Sequence, residues 1–453
     1  MKNHSLTEGS IIKGLVFFAI PLFLSMLFQT MYNTIDTVII GHYLGDNALA
    51  AVGATASVFE LIVLGFGNGI GTGFGIVIAR LFGQEDEYTL KKSVATSIVW
   101  GALISVVLTA IFLILLPTLL QILNTPEEIL SDALSYIRII AMFSIITIFY
   151  NLGSAMLRSI GDSITPFIVL LFSSVVNVIL DILCITTFHM GIAGAAVATV
   201  IAQALSTILC LFFVFTKAKV LIPSKEHFVF DKDLLKDMLG QGFSMAMMSS
   251  IVSVGSMILQ SGINGFGTAI IAGHTAARKV DSMMMLPVMT FGMAIATFVS
   301  QNKGANHPDR IRKGISFTNR FGICMSVIMT IIVYFTADVL IQAISGSNDP
   351  TVIETGAMYM RINLPFFAVL CLLLTYRNSL QGLGRKIVPL ISSVIEFVGK
   401  VLFTFFIIPP LGYFGVCICE PVIWIAMTIQ LYFSLHKALK NLDDELSNYG
   451  VKN

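Results

Sequence analysis

The sequence predicts an all-α polytopic membrane protein, with twelve transmembrane helices in two parallel six-helix lobes related by a pseudo-two-fold axis along the membrane normal. Three observations predict it. Of 453 residues, 56% are hydrophobic and only 12% charged, where soluble domains carry about 25% charged residues. Apolar runs bounded by polar or Gly/Pro clusters recur twelve times, and each supplies the roughly 20 residues that a spanning helix needs. The chain also repeats itself halfway along.

The runs fall at 14–40, 50–79, 93–117, 134–157, 165–188, 192–216, 238–262, 273–299, 315–343, 358–381, 387–409 and 413–436. Their orientation follows from Lys and Arg. With the N-terminus inside, 20 of the 27 basic residues fall in cytoplasmic segments and the other seven within spans, which leaves none in the outer loops. Those loops carry Asp46, Glu127, Glu128, Asp132, Asp349 and Glu354 instead. Such a bias places both termini in the cytoplasm of a cell whose cytoplasmic membrane the chain crosses. Lys+Arg 27 against Asp+Glu 26 leaves a net charge of +1, so nothing invites a nucleic acid. The start, MKNHSLTEGSIIKGL, is polar and runs directly into the first span, unlike a cleavable signal peptide. Cys184, Cys210, Cys324, Cys371, Cys417 and Cys419 all lie in apolar runs and read as packing residues.

The longest inner loop, 217–237, separates a lobe at 1–216 from a second at 238–440, with a cytoplasmic tail at 441–453. The lobes match residue by residue. At an offset of 221, Glu60, Gly71, Gly83, Lys91 and Lys92 pair with Asp281, Gly292, Gly304, Arg312 and Lys313. At an offset of 223, Tyr136, Arg138, Gly161 and Pro166 pair with Tyr359, Arg361, Gly384 and Pro389. Six spans is an even number, so both copies run the same way. Parallel repeats of this kind are a transporter signature, with the site expected in the cleft between them.

Polar groups inside a membrane are costly and therefore candidates for function. On span 1, Gln29, Asn33 and Asp36 recur at i, i+4 and i+7, with Tyr32 four residues before Asp36. Span 5 places Asn177 and Asp181 one turn apart, span 4 adds Asn151, and span 6 adds Thr199 and Gln203. The neutral members read equally well as interhelical hydrogen-bond glue. The aspartates differ, because spans 1, 5 and 6 contain no Lys or Arg to pair with them. In the second half Glu396 and Lys400 stand at i, i+4 on span 11, where a local ion pair and a substrate contact are both open readings. Arg377 and Glu420 are open in the same way, and Arg278, Lys279 and Asp281 cluster near the outer start of span 8. The methionines of spans 7 and 8, Met257 among them, suit either packing or an adaptable apolar site.

Residues 65–75, GFGNGIGTGFG, mimic the glycine spacing of a phosphate loop. No strand pattern precedes them and no Gly-Lys-Ser/Thr follows, so close helix packing explains them and nucleotide binding does not. Neither a nucleophile–base pair nor metal-ligand spacing occurs, which argues against an enzyme and against a cofactor.

Three strings resemble the multidrug and toxic compound extrusion family: NTIDTVIIGHYLGDNALAAVG (33–53), RSIGDSITPFIVLLFSSVVNVILDILCITTFHMGIAGAAVATVIAQ (158–203) and LQGLGRKIVPLI (380–391). The resemblance covers nearly the whole chain. It implies cation-coupled antiport of amphipathic, often cationic organic compounds through a V-shaped pair of lobes; a monomer without a nucleotide partner is expected. The family's ion site, for H+ or Na+ and no other metal, maps onto Asp36, Asn151, Asn177, Asp181 and Thr199. Gln29, Tyr32, Asn33, Gln203, Gln260, Met257 and Arg377 become candidates for the substrate cavity, and Glu396 with Lys400 a polar pair in the second lobe. One branch of the family carries carboxylates on spans 7 and 10. Here span 7 has no acid, with Gln260 its main long polar residue, and span 10 has Arg377, so the chain is more similar to the DinF-like branch. The alternative within the superfamily is a lipid-linked saccharide flippase, against which twelve spans and few cavity cations count.

Overall fold

Each expected span falls on helix in the computed structural model, which describes residues 6–123 and 125–450. In the first half α1 is Ile11–Leu44, and α2 (Asp46–Phe59) runs through a π-helical stretch, Glu60–Asn68, into α3 (Gly69–Gly83). Then come α4 (Glu87–Ile122), α5 (Glu127–Met142), α6 (Ser144–Ser159), α7 (Ile164–Ile182) with a π turn at Leu183–Thr187, and α8 (Gly191–Lys217). The second half holds α9 (Lys232–Ile263), α10 (Thr268–Gly304), α11 (Pro308–Ser345), α12 (Pro350–Asn363), α13 (Phe367–Gly382) and α14 (Ile387–Leu402). A π turn at Phe403–Ile407 leads to the short α15 (Ile408–Leu411) and the long α16 (Tyr413–Gly450). Among the described residues ten helical stretches are long and apolar enough to cross a bilayer, and α5 with α6, bent by 49°, makes an eleventh. The expected second span lies on the continuous run from α2 through α3. The segment expected as a tail, 441–453, continues α16 as far as Gly450, and 451–453 lie outside the described residues.

The chain divides into two compact units, one built on residues 17–249 and the other on 6–16 with the residues from 250 onward. In the first unit one apolar cluster forms around Ile40, Leu116, Leu120, Tyr136 and Ile137, and another around Ile70, Phe74, Ile78, Leu90 and Leu157. The glycines of α3 explain how its neighbours come so close. A Cβ on Gly73 would lie 2.5 Å from the backbone of Gly242 and one on Gly69 2.8 Å from that of Ala246, both on α9. The intervening glycines face α6, where a Cβ on Gly71 would lie 3.1 Å from the backbone of Asn151. Alternating glycines thus let α3 sit against two helices at once, the packing that small residues permit inside a membrane.

Helix starts are set by short acids. Asp86 accepts from Thr89 N at 3.0 Å, Asp162 from Thr165 N at 2.9 Å and Asp349 from Thr351 N at 2.8 Å, each satisfying an otherwise unpaired N–H. The internal repeat is also written in the backbone. Gly161 (φ 91°) and Gly384 (φ 77°) are left-handed at matching places, as are Gly191 (φ 58°) and Gly412 (φ 61°), where a side chain would be strained.

Candidate functional site

In the first unit, α1 carries Tyr32, Asn33, Asp36 and Thr37 along the wall of a cavity of about 230 Å³. Val52, Thr55, Ala56 and Phe59 of α2, Glu60 of the π stretch, Tyr136 of α5 and Thr199 of α8 complete it. Asp181 of α7 is fully buried, and its carboxyl group is close enough to that of Asp36 to interact with it directly. Asn177, one turn earlier, and Thr199 are buried too. The Tyr32 hydroxyl neighbours Asp36, Asp181 and Thr199, and Tyr136 neighbours both acids.

This cluster is short of partners. Asp36 Oδ1, both carboxylate oxygens of Asp181, both amide atoms of Asn177 and Thr199 Oγ1 are buried with no hydrogen bond among the described residues. Buried polar atoms are nearly always satisfied, and each exception costs desolvation energy. Neither acid makes an ion pair among the described residues. Two adjacent carboxylates repel each other strongly in a low-dielectric setting, so the arrangement favours a proton shared between them or a cation bridging them. Carboxylate, amide and hydroxyl oxygens are the donors that a hard cation takes.

The other candidates on this unit lie apart from the cavity wall. Asn151 turns its amide to its own helix, donating to Thr147 O at 2.9 Å, and Gln203 accepts from Thr147 Oγ1. Gln29 is exposed on α1. Sequence reasoning did not place Glu60 and Tyr136 at the site. Their signal was the repeat itself, which pairs them with Asp281 and Tyr359 in the second half, also acid and tyrosine.

The second unit is organised differently, because Asp281, Glu396 and Glu420 are paired. Lys400 Nζ donates to Glu396 Oε1 and to Ser256 Oγ, each at 2.9 Å. Arg377 donates to Ser392 and Ser393 at 3.1 and 2.8 Å, and its guanidinium lies 3.9 Å from Glu396. This candidate for the substrate cavity therefore bridges α13 and α14. Arg278 donates to Glu420 at 2.9 Å, to Asp281 at 3.2 Å and to the Tyr359 hydroxyl at 3.0 Å, and Tyr359 donates to Glu420 at 2.9 Å. A small cavity of about 70 Å³ borders Ser256, Gln260, His274, Arg278, Tyr359 and Glu420. Met257 is half exposed and stands outside that lining. The Arg278–Glu420 contact joins residues 142 positions apart, so it left no local pattern to read.

Comparison with known proteins agrees with the repeat and the fold. The family model described as MatE matches twice, at residues 21–183 and 244–406, two copies displaced by the same number of residues at both ends. The chain is 28% identical over 397 residues to "Probable multidrug resistance protein YpnP" of Bacillus subtilis (strain 168), covering 88% of each. It is 30% identical over 331 residues to "Probable multidrug resistance protein YoeA" of the same organism, covering 71% of this chain and 70% of the relative. The solved structure "Crystal structure of MATE in the bent conformation" superposes with a TM-score of 0.92 at 21% identity, over 99% of both chains. On the matched length and the doubled match, this chain belongs to the MatE family: it is a multi-pass membrane transporter, not an enzyme.

Proposed function

We propose that this transporter exports amphipathic, often cationic organic compounds across the cytoplasmic membrane, with both termini inside, and that an inward flow of H+ or Na+ drives it. The observation that carries the reading is the set of buried, unpartnered oxygens on Asp36, Asp181, Asn177 and Thr199 among the described residues, on spans 1, 5 and 6, which carry no Lys or Arg. A coupling ion supplies the positive charge that this region lacks. Protonation, or binding of a cation, changes the net charge at the site and with it the relative stability of the transporter's states, which is what coupling requires. Protons are the preferred ion, since one proton satisfies two facing carboxyl groups without further ligands. No cofactor besides the coupling ion is needed, and a monomer holds all the residues of the site. The relatives' names, multidrug resistance proteins, support the substrate class. The deciding experiment is dye transport by protein reconstituted in vesicles, with pH and sodium gradients imposed separately. Uptake or extrusion that follows one gradient supports coupling; transport indifferent to both gradients refutes it.

A further inference from the structure

The segment between α8 and α9 exposes three consecutive large apolar side chains: Phe228 (51%), Val229 (53%) and Phe230 (70%). In water such a run forgoes its burial energy; against lipid it does not. The segment is nonetheless firmly built. Asp231 Oδ1 accepts from Asp233 N and Leu234 N, each at 3.0 Å, capping α9, while Oδ2 accepts from Lys92 Nζ at 2.9 Å. On the other side His227 Nδ1 accepts from Ser224 N at 3.0 Å, and its ring lies 5.1 Å from that of Tyr88. The triplet is held outward between two anchors.

Beside it lies a cavity of about 160 Å³, walled by Ala95, Thr96, Val99 and Trp100 of α4 and by residues 227–231. The last charged residue of α4 is Lys92, and none occurs from 93 to 122. The cavity therefore sits at the first turns of the apolar stretch, where headgroups give way to acyl chains. Trp100 occupies the depth at which tryptophan concentrates in membrane proteins. Val99, Leu103 and Val106, spaced i, i+4 and i+7 and each about half exposed or more, continue one apolar track along α4.

Charge selects the occupant. Two of the four acids in 217–237 are taken up by neighbouring helices, Asp231 by Lys92 and Asp237 by Arg80. Lys217, Lys219, Lys225 and Lys232 then outnumber Glu226 and Asp233, and Lys225 and Lys232, both exposed, flank the apolar triplet. We infer that this groove is a binding site for an anionic phospholipid, its acyl chain along the Val99–Val106 track and its phosphate drawn by Lys225 and Lys232.

The protein carries its own probe, because Trp100 is one of only two tryptophans. The Trp424→Phe chain is reconstituted in vesicles of brominated phosphatidylglycerol in plain phosphatidylcholine, and in the reverse mixture. Brominated phosphatidylglycerol should quench Trp100 at a lower mole fraction, by about fivefold for each lysine that contributes. In the Lys225→Gln/Lys232→Gln double variant the ratio should fall towards one while quenching by either lipid persists. Equal quenching by the two lipids in the parent, or a preference unchanged in the double variant, overturns the site. If Trp424→Phe fails to fold, native mass spectrometry of the unaltered chain and of the double variant, comparing retained phosphatidylglycerol with phosphatidylcholine, reads the same preference. Neither measurement involves an ion gradient, so the lipid site stands or falls apart from the coupling reading.

Discussion

Lys400 Nζ lies 2.9 Å from the Glu396 carboxylate one helical turn away, and Arg377 approaches the same carboxylate at 3.9 Å. Removing one member of a buried pair leaves a charge without its counterion, at a cost of about 3–5 kcal/mol. Lys400→Ala should therefore lower thermal stability in detergent sharply. Adding Glu396→Ala should recover part of the loss and not all of it, because Arg377 then loses its own partner. A double-mutant cycle with an interaction above about 0.5 kcal/mol supports the pairing, and strict additivity refutes it.

Asp36 and Asp181 call for the opposite result. Removing one of two facing, uncompensated charges relieves repulsion, so Asp36→Asn and Asp181→Asn should melt no lower than the parent at pH 8. Gradient-driven export should fall to the background of empty vesicles in both, while dye binding at equilibrium is retained. Transport at the parental rate under both gradients in either variant rules that residue out as a coupling group.

The orientation is testable with single cysteines, once the exposed Cys324 is replaced by Ser. A cysteine at Glu128 should react with an impermeant thiol reagent added outside intact cells, and one at Lys225 only after lysis. The reverse pattern would invert the topology.

Asp231 supplies a pH prediction outside the membrane. The Leu234 N–H and the Lys92 ammonium hold its carboxyl group below the usual carboxylate range. A group lowered on folding contributes fully above its unfolded value, about 3.9, and loses that contribution as pH falls through the folded value. Trp100 emission in Trp424→Phe should thus stay flat from pH 8 to 5 and shift only in stronger acid. Adding Asp231→Asn, which keeps the shape and removes the charge, should shift it at every pH.

Spans and repeat were legible because each is a property of many residues at once: twelve apolar runs, a one-sided Lys/Arg distribution and matched glycines. The stripes on α1 and α7 were legible for the same reason, since i, i+4 spacing survives any packing. What the pattern could not hold was which stripe met which partner. Asn151 and Gln203 carry the same chemistry as Asn177, yet they turn to Thr147 instead. Arg278 and Glu420 looked like separate puzzles, because nothing short-range marks two side chains that meet across most of a lobe. The π stretch at Glu60–Asn68 was hidden as well, since a register change within a helix leaves the apolar run intact.

The paired glycines show that the two copies kept one backbone. Their charges did not follow. At the offset that aligns Gly161 with Gly384, Lys400 stands where the first copy has Asn177, and Thr404 stands where it has Asp181. The second copy balances Asp281, Glu396 and Glu420 with Arg278, Arg377 and Lys400 of the same copy, whereas Asp36, Asp181 and Glu60 of the first make no ion pair among the described residues. The repeat is thus electrically one-sided, and under the proposed coupling reading only the first copy offers an open ion-binding centre.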